Sequence, residues 1–206
     1  MQRRRFTRWR AMLLAGFGMG VGSFTSSDFC RADVYFTLSG NTQNSNLIFQ
    51  SVRSRIISGT AALDVGSFMR LGVTHRQKFE DNQEYILIND ADPDNIIVEN
   101  TKSSIHQISN SIDLTLILYE GTLITPYING GVVFKNYRIT SSSSENKAVV
   151  LPPQPSGGVG LGIMLSREFS LKISYTVSPG MRWNPDRSRA DRVLDNYTEL
   201  GITYKI

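Results

Sequence analysis

His75 and His106 are the only histidines of the chain, and Asp81, Ser103 and Ser104 fall in the same stretch. Imidazole with a hydroxyl and a carboxylate is the material of a hydrolytic site, where histidine takes a proton from a serine nucleophile. No motif around these residues fixes such a geometry, and two interfacial histidines are the plainer reading. Between them runs Asn89-Asp90-Ala91-Asp92-Pro93-Asp94-Asn95. Alternating carboxylates can wrap a hard cation, but Pro93 intrudes and no Gly follows Asp94. Thr101 also stands where a closing bidentate Glu belongs. The segment reads as a solvated acidic loop, and no metal or cofactor is expected. Near the end, Arg182, Trp183, Arg187, Arg189 and Arg192 form a basic counterpart. Guanidinium groups suit the phosphates of lipopolysaccharide, with Trp183 at headgroup level. Equally, these arginines can face the acidic loop through exposed pairs, each contributing about 0–1 kcal/mol. The Ser141–Ser144 run reads as flexible loop.

A third group of charges has a different setting. Asp64, Arg70, Arg76, Asp113, Lys135, Lys172, Glu199 and Lys205 sit inside or near the ends of segments that alternate apolar and polar residues. Such alternation is the mark of a strand with two unlike faces. Phe169 to Val177 alternates without exception: Phe169, Leu171, Ile173, Tyr175 and Val177 against Ser170, Lys172, Ser174 and Thr176. Val159, Leu161, Ile163 and Leu165 oppose Gly158, Gly160, Gly162 and Met164. At the end, Leu200, Ile202, Tyr204 and Ile206 oppose Glu199, Gly201, Thr203 and Lys205. Noisier versions begin at Val34, Ile57, Met69, Ile108 and Ile124, which predicts eight strands in all. Three connections between them are tight, around Gly66-Ser67, Glu120-Gly121 and Arg167-Glu168. The other four are expected to be loops of roughly 15 to 25 residues. Loops of that length are uncommon in compact soluble domains and usual on the external rim of outer-membrane barrels.

The start of the chain agrees with that compartment. MQRRRFTRWR is followed by the apolar AMLLAGFGMGVGSF, and Cys30-Arg31-Ala32 closes the stretch. A basic start, a short apolar run and a small-x-small end make a cleaved signal peptide over residues 1–32, too short and glycine-rich for an anchor. Ser27, Asp28 and Phe29 before Cys30 do not form a lipobox, and Arg3-Arg4-Arg5-Phe6 is not a twin-arginine signal. Its removal takes six Arg and one Asp from 22 basic and 18 acidic residues, leaving 16 and 17. The formal +4 therefore belongs to the signal, and a nucleic-acid partner is not expected. The single cysteine leaves with it, which suits an oxidising compartment without a disulfide framework.

Periodicity alone does not separate a soluble barrel from one in lipid. In lipid, the apolar face looks outward and the eight charges pair in the lumen. A lysine at mid-bilayer on the lipid side costs about 2–4 kcal/mol, so register is strongly fixed. The chain resembles the small eight-stranded outer-membrane barrels, such as the transmembrane domain of OmpA and related proteobacterial surface antigens. PYINGGVVFKNY (126–137) is similar to their Gly-rich fifth strand, and GGVGLGIMLSREFSLKISY (157–175) to their sixth and seventh. ELGITYKI resembles their assembly signal, with Glu199, Gly201 and Tyr204 in the defined places and Ile206 where Phe is usual. The resemblance implies recognition by the barrel-assembly machinery.

The fold expected for 33–206 is therefore all-β, an eight-stranded antiparallel up-and-down transmembrane β-barrel in the cell outer membrane. A lumen of eight strands is filled by side chains. The leading expectation is a non-enzymatic surface protein that serves membrane integrity or meets an extracellular partner through its loops. Its other partners are outer-membrane lipid and lipopolysaccharide. The alternatives are a narrow porin-like channel, a lipid-modifying outer-membrane enzyme and a soluble periplasmic barrel for apolar ligands.

Overall fold

Among the described residues, period two becomes nine β-strands: β1 (Val34–Leu47), β2 (Gln50–Asp64), β3 (Met69–Asn89), β4 (Ile96–Ile117), β5 (Ile124–Ser141), β6 (Ser144–Val150), β7 (Gln154–Met164), β8 (Phe169–Asn184) and β9 (Arg189–Lys205). The computed structural model describes residues 33–47, 50–89, 96–119, 121, 123–141, 144–184 and 189–206. Of these, 47, 86–89, 96–99, 144–146, 182–184 and 189–191 are described by backbone alone. The signal expected over 1–32, the acidic segment 90–95 and Arg187 lie outside the described residues.

All pairings are antiparallel, and β4 pairs with β5 while β9 pairs with β1, so the sheet closes. Eight strands make the wall. The ninth, β6, extends β7 along the same neighbour: β5 pairs with β7 over Ile124–Val133 and with β6 over Asn136–Ser141. Leu151-Pro152-Pro153 interrupts what would otherwise be one strand, because proline has no N–H for the ladder. The expected sixth strand is β7, and β6 is an added strand within the loop expected before it. A walk along paired residues leaves β5 at Pro126, passes Leu161, Ile173, Leu200, Gly40, Ile57, Gln77 and Ile108, and returns to β5 at Asn136. The barrel therefore closes with a stagger of ten residues. With a rise of about 3.3 Å and a strand spacing of about 4.7 Å, this tilts the strands by about 40°.

The four long loops are not there as expected. Their residues are strand, and the connections shrink to 48–49, 90–95, 142–143 and 185–188. On the opposite rim the connections are tight as expected, with Gly66 at φ 97° turning β2 into β3.

Burial is inverted relative to a water-soluble domain. Inside lie Thr37, Ser39, Ser58, Thr74, Arg76, Ser109, Lys135, Glu199 and Thr203. Outside, and exposed, lie Phe36, Leu38, Leu71, Val73, Ile112, Leu114, Val132, Phe134, Val159, Leu161, Phe169, Ile173, Leu200, Ile202 and Tyr204. On β5 the apolar run goes from Ile124 to Phe134, and Asn136, Arg138 and Thr140 follow on the same outward face. Eleven tilted residues are what a bilayer crossing requires, giving an apolar belt about 25 Å tall. A soluble barrel would place these side chains within, so that alternative fails on orientation. No helix among the described residues is long and apolar enough to cross a membrane; the crossing elements are strands.

Above the belt the strands continue into water. β3 runs about 30 Å further along the axis from Gln77 to Asn89. β3 loses β2 as a neighbour beyond Glu84, and β4 has β5 only from Ser103 onward. The end of this hairpin is a two-stranded ribbon.

Candidate functional site

Every second residue of each strand points into the lumen, which collects side chains that are distant in sequence. At the rim of the tight turns, Arg70 Nε donates to Asp64 Oδ1 at 2.9 Å and the Tyr35 hydroxyl donates to Asp64 Oδ2 at 2.7 Å. The Arg70 guanidinium lies 3.5 Å from the centre of the Tyr35 ring. Lys205 meets Asp33 at 2.5 Å on the same rim. Asp113 accepts from Ser111 at 2.6 Å and Ser156 at 3.4 Å. Lys172 stands over the Tyr127 ring at 5.8 Å. The ring has room only because β7 carries Gly160 opposite: a Cβ there would collide with the Tyr127 phenol.

Half-way up, Arg76 forms a two-pronged pair with Glu199, Nε to Oε1 at 2.9 Å and Nη2 to Oε2 at 2.8 Å. Ser58 donates to the same carboxylate at 2.8 Å. Two parallel N–H···O bonds fix orientation as well as charge. Next comes a tighter layer. Lys135 Nζ donates to Asp195 Oδ2 and to the Pro179 carbonyl, both at 2.7 Å. The Tyr137 and Tyr197 hydroxyls donate to that same Oδ2 at 3.0 Å each, and Gln107 donates to the Tyr197 oxygen at 2.7 Å. Tyr137 and Tyr197 lie beyond the apolar belt on β5 and β9. Burial, and after it the Asp195 carboxylate, pushes both phenols upward, so they remain protonated donors. Asp195 fits against β8 because its neighbour there is Gly180, where a Cβ would overlap the carboxylate.

Tyr197, Lys135, Gln107, Val133 and Ser109 are the most deeply buried side chains described. They separate two cavities that share no lining residue. The lower one holds about 190 Å³ among Arg70, Asp113, Tyr127 and Lys172, and the upper one about 200 Å³ among Lys78, Glu80, Gln107 and Asp195. These buried side chains fill the lumen at this layer, as suits a barrel of eight strands.

All eight charges expected in the lumen face it. Arg70 with Asp64 stands apart at the rim, whereas Arg76–Glu199 and Lys135–Asp195 meet at Tyr197, whose ring centre lies 4.6 Å from Arg76 and 5.5 Å from Lys135 and whose hydroxyl donates to Asp195. Asp195, Tyr137, Tyr197 and Gln107 were not anticipated. The available signal was the odd-numbered alternation of Glu199 and Gly201 continued backward to Tyr197 and Asp195.

The histidines point the other way, outward. His75 is hydrogen-bonded to Asn110 at 2.8 Å and to Gln77 at 3.1 Å. His106 stacks on Phe79 with centroids 4.4 Å apart. No hydrogen bond joins either ring to a serine or an aspartate among the described residues, although Ser104 and its register partner Asp81 share the outward face with His106. Of the basic cluster, Arg192 is exposed on β9, eight residues past Leu200. The backbone places Arg182, Trp183 and Arg189 in the same projecting hairpin, with Trp183 six residues past Val177. Glu199 and Gly201 face the lumen, and Tyr204 and Ile206 face outward.

No family model and no curated protein matches the chain. Solved structures do. The N-terminal β-barrel domain of Pseudomonas aeruginosa OprF matches at 13% identity and TM-score 0.53, covering 84% of this chain and 97% of that one. Neisserial surface protein A matches at 10% identity and TM-score 0.51, covering 85% and 99%. At such identities the likeness carries the fold, and the fold is that of the small outer-membrane β-barrels.

Proposed function

We propose that this chain is a non-enzymatic surface protein of the outer membrane, sealed to solutes, that presents its projecting hairpins to the outside. The observation that carries the reading is the inverted burial: ion pairs and hydroxyls inside, a largely apolar belt outside that on β3 and β4 only His75, Gln77 and Asn110 interrupt among the described residues. A protein so built gains nothing from water on its outer wall and everything from lipid. The sealed layer around Tyr197 argues against diffusion through the lumen. The outward histidines, occupied with Asn110, Gln77 and Phe79, argue against a lipid-modifying enzyme.

Among the described residues, the hairpins are the large surfaces outside the membrane, and the role lies in contact with an extracellular partner or in the integrity of the membrane itself. Glu199, Gly201, Tyr204 and Ile206 remain the proposed contact with the barrel-assembly machinery. Arg182, Trp183, Arg187, Arg189 and Arg192 remain proposed contacts for lipopolysaccharide.

Membrane fractionation combined with heat-modifiable gel migration tests the location, and planar-bilayer recording tests the seal. Recovery in the outer membrane, with a faster band before boiling and no unitary conductance, is expected. Recovery in the soluble periplasm overturns the location, and a stable single-channel current overturns the seal.

A further inference from the structure

The seam between β1 and β9 is zipped for only part of its length. Among the described residues the two strands pair over Tyr35–Gly40 and Leu200–Lys205, and no pairing continues beyond Gly40 and Leu200. β1 goes on to Leu47 beside β2 alone, and β9 arrives from Arg189 beside β8 alone. At the zipped end Val34 and Ile206 exchange both backbone hydrogen bonds. In an antiparallel ladder alternate residues turn N–H and C=O to the same side, so here the even-numbered residues face the seam. The free groups are therefore those of Thr42, Asn44 and Asn46 on β1, and of Thr198, Asn196, Leu194 and Arg192 on β9. The opening reaches the lumen, since Leu194 and Asn196 border the upper cavity together with the inward Val193 and Asp195.

Part of this edge lies at belt height. A stagger of ten residues over eight strands lifts each step along a pair from β8 to β9 by about 3 Å. On that count Thr198 lies about 2 Å below Val177, and Thr42 about 2–3 Å below the belt residue Phe134. Backbone groups there face hydrocarbon, where no water stands in for a missing strand. Nor is the edge guarded. From Asn41 to Asn46, β1 carries neither charge nor proline, the usual protections of a free strand. The other break in the wall, between β7 and β8 above Val177, is protected by contrast. Pro179 has no N–H to offer, its carbonyl accepts from Lys135, and Met181 packs on the same cluster as Val149 and Leu151.

We propose that the open seam is a dimer contact, and that its occupant is a second copy of this chain. A two-fold axis along the membrane normal keeps both copies upright. It sets β1 of one copy antiparallel to β9 of the other, at the height and in the register of the zipped part. Continued from Gly40 and Leu200, that register joins Thr42 to Thr198, Asn44 to Asn196 and Asn46 to Leu194. The same operation closes the second seam, so both free edges are satisfied at once. β1 against β1, or β9 against β9, would run parallel in upright copies. A single foreign strand fits less well, because β1 and β9 run in opposite directions and it would be parallel to one of them. The lowest free groups, at Thr42 and Thr198, also require a neighbour that lies in the membrane. Beneath the contact, Leu38 and Leu200, 69% and 56% exposed, would be covered by the second copy. The proposal rests on the outer-membrane reading and goes beyond it.

The test uses the full chain with Cys30→Ser, so that each variant holds only the cysteines placed in it. Asn44→Cys and Asn196→Cys are made in separate, differently tagged chains and co-expressed. Their Cα atoms would be about 5.5 Å apart across the contact, within reach of a disulfide. Oxidation of the outer membranes is expected to link the two chains, with a dimer band about tenfold stronger than from either chain alone. Asn196→Pro removes an N–H that faces the seam and none that faces β8. It is expected to turn the dimer seen by native mass spectrometry into monomer while heat-modifiable migration shows the barrel folded. A folded Asn196→Pro that stays dimeric overturns the contact. No linked dimer from the mixed chains overturns it too, whether lipid or a foreign peptide then fills the seam. A chain carrying both cysteines that links only within itself also overturns it, because the seam then closes in one copy. With the chain in the outer membrane, each of these failures leaves the location standing. Absence of the wild-type chain from that fraction overturns the location and the contact together.

Discussion

The two halves of the lumen use the same chemistry under different conditions. Near the tight turns, Arg70 and Asp64 are 25% and 20% exposed and border the lower cavity. In the sealing layer, Lys135 and Asp195 are 1% and 8% exposed, and Tyr137, Tyr197 and the Pro179 carbonyl complete their shells. Both are ion pairs at hydrogen-bond distance. A pair in contact with water contributes little, because each ion would be solvated without the other. A desolvated pair is strongly interdependent: removal of one member strands the other without water. The upper layer therefore seals the barrel and also makes it fragile to a single substitution.

The largest expected effect is at Asp195. Asp195→Ala leaves the Lys135 ammonium buried and removes the acceptor of two phenols. The cost should be about 3–5 kcal/mol, read as a lower denaturant midpoint for the barrel refolded in lipid vesicles. Arg76→Ala, which strands Glu199, should fall in the same range. If Asp195→Ala costs no more than a surface substitution, the sealing layer is not desolvated. Tyr197→Ala asks the same question functionally: with the most buried ring gone, the two cavities should join and a small unitary conductance should appear.

What could be read in the sequence follows where the strands lie. Within the belt one face meets lipid and the other the lumen, so Phe169–Val177 alternates and its inward Lys172 is evident from the pattern alone. Above the belt the outer face meets water and turns polar, and the inner face mixes polar residues with a small cluster of Ile105, Tyr137 and Ile139, so the alternation fades although the strand continues. That is why residues of β3 and β4 such as Gln83, Glu84, Asn100 and Thr101 read as loop. Asp195 was missed for the same reason, since Asp191, Arg192, Asp195 and Asn196 together resemble a solvated turn. The start of β7 was visible after Pro152-Pro153, two residues unable to donate, whereas β6 before them lies in a polar segment that reads as loop. The stagger of ten residues was not visible, because it is a property of eight registers together.

An intermediate effect is expected where the lumen is filled by volume and no charge is lost. Gly160 faces Tyr127 across β7 and β5, and the phenol occupies the space a side chain would need. Gly160→Val should cost about 1–3 kcal/mol by overpacking, and Tyr127→Ala in the same chain should recover part of that loss. A recovery measured as a double-mutant coupling separates collision with the ring from a general preference of the strand for glycine.

The smallest effect is expected at Asp64. Asp64→Asn removes the charge from the Arg70 pair, keeps an oxygen for the Tyr35 hydroxyl, and leaves Arg70 within reach of water in the lower cavity. The loss should stay below about 1 kcal/mol and shrink with added salt. Arg70 also keeps its place on the Tyr35 ring, which supplies part of what the carboxylate gave. A loss as large as that of Asp195→Ala would mean that the lower lumen is as dry as the sealing layer. The contrast between the two halves would then come from the number of hydrogen bonds at each carboxylate and not from water.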